Sequence, residues 1–142
     1  MRIALLTYRG NMFCGGQGIY DSYLAREWKK AGHDVHVFAG PPLPTLPADI
    51  PLHVISNDNV FGQDIAGCID PQRPWSLLRP LSLWELGVSR FGVFPEMQTF
   101  GLRLLARWRH FQERYRFDVV FDNQSLSWGL LGIQAMGVPV VS

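Results

Sequence analysis

A chain of 142 residues is one domain's worth and buries roughly two thirds of its unfolded surface on folding. Thirteen lysines and arginines against 12 aspartates and glutamates leave a formal net charge of +1, so no overall field invites nucleic acid. The two cysteines, Cys14 and Cys68, lack metal-type spacing and read as free thiols of a reducing cytosol, and no apolar run approaches the ~20 residues of a membrane-spanning helix.

Arg2–Thr7 is a short apolar run, the pattern of a strand buried on both faces and too short for the apolar stretch of a signal peptide. A polar segment follows, then three glycines in four residues, Gly15, Gly16 and Gly18. The periodicity then turns helical. Tyr20, Tyr23, Leu24, Trp28 and Ala31 are expected on the apolar face, with Asp21, Ser22, Arg26, Lys29 and Lys30 opposite. Gly32 is placed to stop this helix and residues 35–39 to form the next strand. Strand, glycine loop, helix and strand make a βαβ unit whose crossover should be right-handed.

A helix N-terminus offers free N–H donors and about half a positive charge, so it favours anions. Glycines let a phosphate or sugar come against the backbone; the alternative is that they only turn the chain. A dinucleotide fits poorly. The G-x-G-x-x-G pattern started at Gly16 needs a glycine where Asp21 stands, and no acid closes the second strand, where Ala39 and Gly40 lie. The phosphate-loop pattern G-x-x-x-x-G-K-[ST] is absent from the sequence.

Residues 40–51 hold five prolines and predict a surface connection, and 52–55 a third short strand. From 56 to 95 the pattern is irregular. Pro71, Pro74 and Pro80 interrupt it while Trp75, Leu77, Leu78, Trp84, Phe91 and Phe94 keep it apolar. It reads either as a lid or acceptor loop or as an insertion on a partner surface, with 75–94 as a surface for oligomerisation. A helix resumes near Glu96, with Met97, Phe100, Leu104, Trp108, Phe111 and Tyr115 as its stripe and Arg103, Arg107, Arg109, Arg114 and Arg116 off it. An ordinary sheet-packing helix with a solvated arginine face is favoured over one leaning on anionic lipid.

Residues 118–121 predict a strand, and Asp122, Asn123, Gln124 and Ser125 follow at its C-terminal end, where open α/β sheets gather ligands. Asn123 or Ser125 serves equally well as a helix cap. A helix over 126–136, closed by Gly137, and a last strand over 138–141 complete the chain. His33, His36, His53 and His110 read as structural, and no nucleophile–base pair stands out.

The segments GGQGIY at 15–20, AGHDVHVFAG at 31–40 and FDVVFDNQSLSWGLLGIQAMGVPVVS at 117–142 together resemble the N-terminal domain of family 4 glycosyltransferases. The resemblance implies a Rossmann-like open parallel sheet with helices on both faces, one lobe of a GT-B architecture. It implies a retaining transfer of sugar from a nucleotide-diphosphate sugar to an acceptor hydroxyl, with no cofactor and no metal. Departure of the diphosphate builds negative charge, which fixed N–H dipoles can meet with little reorganisation. Carried over residue by residue, Gly15, Gly16, Gln17 and Gly18 would face the donor's diphosphate and sugar. Asp122, Asn123, Gln124 and Ser125 would border the acceptor, a sugar or lipid-linked acceptor whose identity the sequence leaves open between a lipid-linked sugar, a polysaccharide and a small molecule. Many relatives have His where this chain has Phe121.

The family's C-terminal domain carries a basic residue and two glutamates spaced E-x7-E, and this sequence does not contain it; Glu85 and Glu96 have another spacing. The chain is therefore expected to be an acceptor-side half, 1–142, inactive until a C-terminal GT-B domain joins it in cis or in trans. It is expected in the cytoplasm, with a peripheral contact at the inner membrane face as a further expectation. The competing reading is a non-catalytic Rossmann-like module that binds a ligand or a protein.

Overall fold

The computed structural model describes residues 1–13, 16–56, 79–91 and 94–142. In chain order these form β1 (Arg2–Thr7), α1 (Gln17–Lys30), β2 (Asp34–Ala39), β3 (Leu52–Val54), α2 (Pro80–Ser89), α3 (Glu96–Tyr115), β4 (Val119–Asp122), α4 (Trp128–Ala135) and β5 (Val140–Val141). The five strands are all parallel, in the order β3-β2-β1-β4-β5. Leu5 lies at the centre, in register with Val37 on one side and Phe121 on the other.

Alternation along the strands divides the core into two layers. Leu5, Val35, Val37 and Ala39 pack with Ala25, Leu24 and Trp28 of α1. Ala4, Leu6, Phe38 and Val120 pack on the other face with Phe100, Leu104 and Trp108 of α3 and Leu130 and Ile133 of α4. Helices thus cover both faces, as an all-parallel sheet requires. This is the Rossmann-like arrangement expected from the sequence.

The face that α1 turns to the sheet is not the expected one. Gly18, Asp21, Ser22 and Ala25 are buried, whereas Tyr20 and Tyr23 are 53% and 60% exposed. Small side chains at i, i+3, i+4 and i+7 bring the helix close to the sheet and its loops. A Cβ on Gly18 would overlap the Gly10 carbonyl, and Ser22 Oγ donates to the Thr45 carbonyl at 2.7 Å. At the far end Gly32, at φ +86°, gives the expected stop. Its N–H bonds Lys29 O and the His33 N–H bonds Trp28 O, a paired closure of the last turn.

Within the stretch read as irregular, Pro80–Ser89 is a helix. Pro80 sits at its start, where a missing N–H costs nothing, so the residue taken as a breaker is an initiator. α2 is tied to α3 through a buried carboxylate. Glu85 accepts from Arg103 Nη2 at 2.7 Å and from Thr99 Oγ1 at 2.9 Å. Glu96, also buried, pairs with Arg9 Nε at 3.3 Å, and burial pushes its carboxyl up. α3 presents the expected stripe to the sheet, with Phe100, Leu104 and Trp108 buried. α4 starts later than expected. Ser127 caps it, accepting from Gly129 N at 3.1 Å, in place of Asn123 or Ser125.

Candidate functional site

The strand order reverses direction at β1, with β2 on one side and β4 on the other, so the loops leaving β1 and β4 separate and open a crevice at their carboxyl ends. Both informative loops arrive there. The first leaves β1 at Thr7 and is fastened to the proline-rich connection by Gly10 N donating to Pro42 O at 2.8 Å. It enters α1 through Gly16, left-handed at φ +72°, and no side chain caps that helix. The second leaves β4 at Asp122 and carries two further left-handed residues, Gln124 at φ 66° and Leu126 at φ 42°. Neither is glycine, and a branched leucine in this region is strained backbone, a feature that gathers at binding sites.

Between them lies a cleft of about 430 Å³ lined by Gly16, Gln17, Tyr20, Phe121, Asp122, Asn123, Gln124, Leu126 and Ser142. Two side-chain bonds join the loops that form it. Gln17 Nε2 donates to Gln124 Oε1, and Asn123 Nδ2 donates to Asp21 Oδ1, each at 2.8 Å. One wall is aromatic, from exposed Tyr20 and from Phe121, whose ring stands edge-on to Trp28 at 5.2 Å between centroids. The other groups are amides and backbone. Such a mixture suits a ligand with hydroxyls on its edges and an apolar ring face.

The eight residues expected at the site divide. Gly16, Gln17, Asn123 and Gln124 line the cleft together, and so does Asp122. The Asp122 carboxylate is already engaged, since Ser125 Oγ and the Leu126 N–H both donate to it. Asp122 and Ser125 are buried, so this pair shapes the loop from beneath. Gly18 packs against the backbone of Gly10 and Asn11 and does not line the cleft. Gly15, with Cys14, lies outside the described residues. Most of the 75–94 surface does not: among its described residues Leu83, Trp84 and Phe91 are exposed.

Sequence reasoning missed Asp21, which was assigned to solvent. It is 0% exposed, and its second oxygen, Oδ2, has no hydrogen-bond partner. Burial pushes its carboxyl up to about 6; the neighbouring Thr7 hydroxyl and the Asn123 amide offset part of that, and the Asp122 charge adds to it. The available signal was the small-residue spacing Gly18, Asp21, Ser22, Ala25 on one helical face.

Two of the histidines pack together against the end of α3. His36 and His53 stack at 5.2 Å with Nδ1 and Nε2 2.9 Å apart, among Phe38, Phe111, Tyr115 and Phe117. Burial lowers both, His53 to about 4, and the His36 ring and the Arg114 charge push His53 the same way. Among the described residues no group of three His, Cys, Asp or Glu is placed to hold a metal ion. No helix among them is long and apolar enough to cross a membrane.

The sequence profile of Glycosyltransferase Family 4 matches residues 14–142. An MMP alpha-(1->4)-mannosyltransferase of Mycolicibacterium hassiacum is 41% identical over 149 residues, covering 100% of this chain and 34% of that protein. Two structures of spinosyn rhamnosyltransferase SpnG, alone and complexed with thymidine diphosphate, superpose with TM-scores of 0.50 and 0.48 at 19% identity. Each superposition covers 99% of this chain and 33% of that one, and the one at 0.50 is a likeness of fold. The chain thus spans about a third of the length of the relatives it matches. On the match of the profile to 14–142, and on the parallel sheet that places both loops at one crevice, this chain belongs to glycosyltransferase family 4.

Proposed function

We propose that this chain forms the acceptor-side lobe of a retaining glycosyltransferase that moves a sugar from a nucleotide-diphosphate sugar to an acceptor hydroxyl. The observation that carries the reading is the cleft itself. An uncapped helix N-terminus with left-handed Gly16 faces a strained loop of amides across one opening. In this reading the N–H groups at the start of α1, with Gly16 and Gln17, meet the charge that builds on the departing diphosphate. Asn123 and Gln124 bond hydroxyls of the acceptor, and Tyr20 supplies a ring face for a sugar. Asp122 and Ser125 hold the loop in shape. No metal or cofactor takes part, and the remaining two thirds of a full-length relative supply the donor-binding lobe.

The name of the mannosyltransferase relative makes mannosyl transfer onto a sugar 4-hydroxyl the first reaction to try. The test is a titration of this chain, by calorimetry and by amide NMR, with a nucleoside diphosphate and separately with an α-mannoside oligomer. We expect the mannoside to shift Tyr20, Asn123 and Gln124 resonances and the nucleotide to bind weakly. Micromolar binding of a nucleoside diphosphate, or of NAD, by this chain alone would overturn the acceptor-side assignment.

A further inference from the structure

We propose that Asp21 is a positioning residue of the cleft: a buried carboxylate that fixes which end of the Asn123 amide is offered to the ligand. The argument starts from hydrogen-bond chemistry. An ionised carboxylate accepts only, whereas an asparagine amide has a donor end and an acceptor end that differ little in shape. Asn123 Nδ2 donates to Asp21 Oδ1 at 2.8 Å. Facing an acceptor-only partner, the NH₂ end must turn inward, which leaves the Asn123 carbonyl oxygen as the group the cleft can use. A carbonyl oxygen there selects for a donor, and a sugar hydroxyl is such a donor. That last step rests on the reading under Proposed function; the orientation of the amide does not.

The position makes the arrangement costly unless it serves the site. Asp21 is fully buried on the sheet side of α1, and Oδ2 finds no donor. A buried carboxylate with one oxygen unbonded is destabilising, and an apolar residue would pack there without that penalty. The groups that face it are few. Thr7 comes from the end of β1, and Asp122, at the end of β4, is the titratable neighbour, its own carboxylate occupied by Ser125 and Leu126 N. The bond also joins α1 to the β4–α4 loop beside the Gln17–Gln124 pair, so the latch and the cleft wall are one unit.

Protonation changes the logic. With its carboxyl pushed up to about 6 by burial, Asp21 gains a donor as the pH falls through that value. The partner is then no longer acceptor-only, and the Asn123 amide is free to turn over.

The test follows Asp21 Cγ and the Asn123 side-chain NH₂ by NMR of this chain from pH 4 to 8. We expect one midpoint near 6 for both, and in Asp21→Asn the Asn123 signal should lose its pH dependence while shifts far from α1 stay put. An Asn123 amide indifferent to the ionisation of Asp21 overturns the proposal; the wild-type titration decides this even if the variant does not fold. A second arm measures α-mannoside affinity, expected to fall about fivefold below pH 6 and equally in Asp21→Asn at pH 7, the size of one hydrogen bond. No mannoside binding at any pH counts against the acceptor-side function, while the coupling of the Asn123 amide to the Asp21 titration still decides the role of Asp21.

Discussion

Two glycines two residues apart illustrate how differently one residue type can act. Gly16 stands at φ +72° with open space where a Cβ would go, so its requirement is conformational. Gly18 has no left-handed φ, but a Cβ there would overlap backbone atoms of Gly10 and Asn11, so its requirement is steric. Gly16→Ala should cost ~1 kcal/mol, the penalty of left-handed backbone. Gly18→Ala should cost ~2–4 kcal/mol, because helix and loop must separate. Calorimetric melting at neutral pH checks this; equal losses in the two variants would show that α1 does not pack on the β1 loop. Asp21 and His53 make a second contrast at this scale. Asp21 has its carboxyl raised from 3.8 to about 6, so the fold favours its protonated form; stability is full below 3.8 and declines as pH rises toward 6, by ~3 kcal/mol at most. His53 is lowered from 6.5 to about 4, so the fold favours the neutral ring; stability is full above 6.5 and declines as pH falls toward 4. Urea unfolding from pH 4 to 8 should therefore show Asp21→Asn gaining on the wild type as pH rises to about 6, and His53→Phe gaining as pH falls below 6.5. Parallel curves for wild type and variants would remove both assignments.

At the scale of elements, what the sequence revealed depended on what each contact is made of. The strands were legible because they are contiguous apolar runs in a sheet covered on both faces. α3 was legible because Phe100, Leu104 and Trp108 repeat at helical spacing. The orientation of α1 was not, since it packs through Gly18, Asp21, Ser22 and Ala25 and leaves two tyrosines outside, which inverts a reading weighted by hydrophobicity. α2 was hidden by Pro80, whose meaning depends on whether a helix starts there. The α3–α4 crossing shows the same blindness to small residues. A Cβ on Gly101 would overlap Ser127, and one on Gly129 would overlap the Gly101 carbonyl, so the two helices meet almost backbone to backbone. The candidate site was half legible. Its two loops could be placed at one sheet edge, but nothing in a one-dimensional pattern says that Asp122 and Ser125 satisfy each other or that Asp21 reaches Asn123.

For the molecule as a whole, the sheet order sets where stability concentrates. β1 is paired on both sides along its length, with β2 from Arg2 to Thr7 and with β4 from Ile3 to Leu6. Its side chains feed both core layers, Ala4 and Leu6 into one and Leu5 into the other. The edges are thin by comparison. β5 is two residues long, with Val141 about half exposed, and β3 is three residues long with none of them buried. α2 leans on α3 and leaves Leu83 and Trp84 partly in solvent. Local opening follows buried contacts and shielded hydrogen bonds, so native-state exchange should not be uniform. Amides of β1, of Val35–Phe38 in β2 and of Val120 and Phe121 in β4 should exchange only with global unfolding. Those of α2, β3 and β5 should exchange at least about tenfold faster, equivalent to ~1.4 kcal/mol or more of cheaper opening. The crevice lies over the carboxyl ends of β1 and β4, both paired on two sides, so its floor should be rigid while its rim at Gln124 and Leu126 opens readily. Hydrogen exchange at neutral pH, read residue by residue, checks the order; β5 or α2 amides as slow as those of β1 would mean that the edges are held by more than the contacts described.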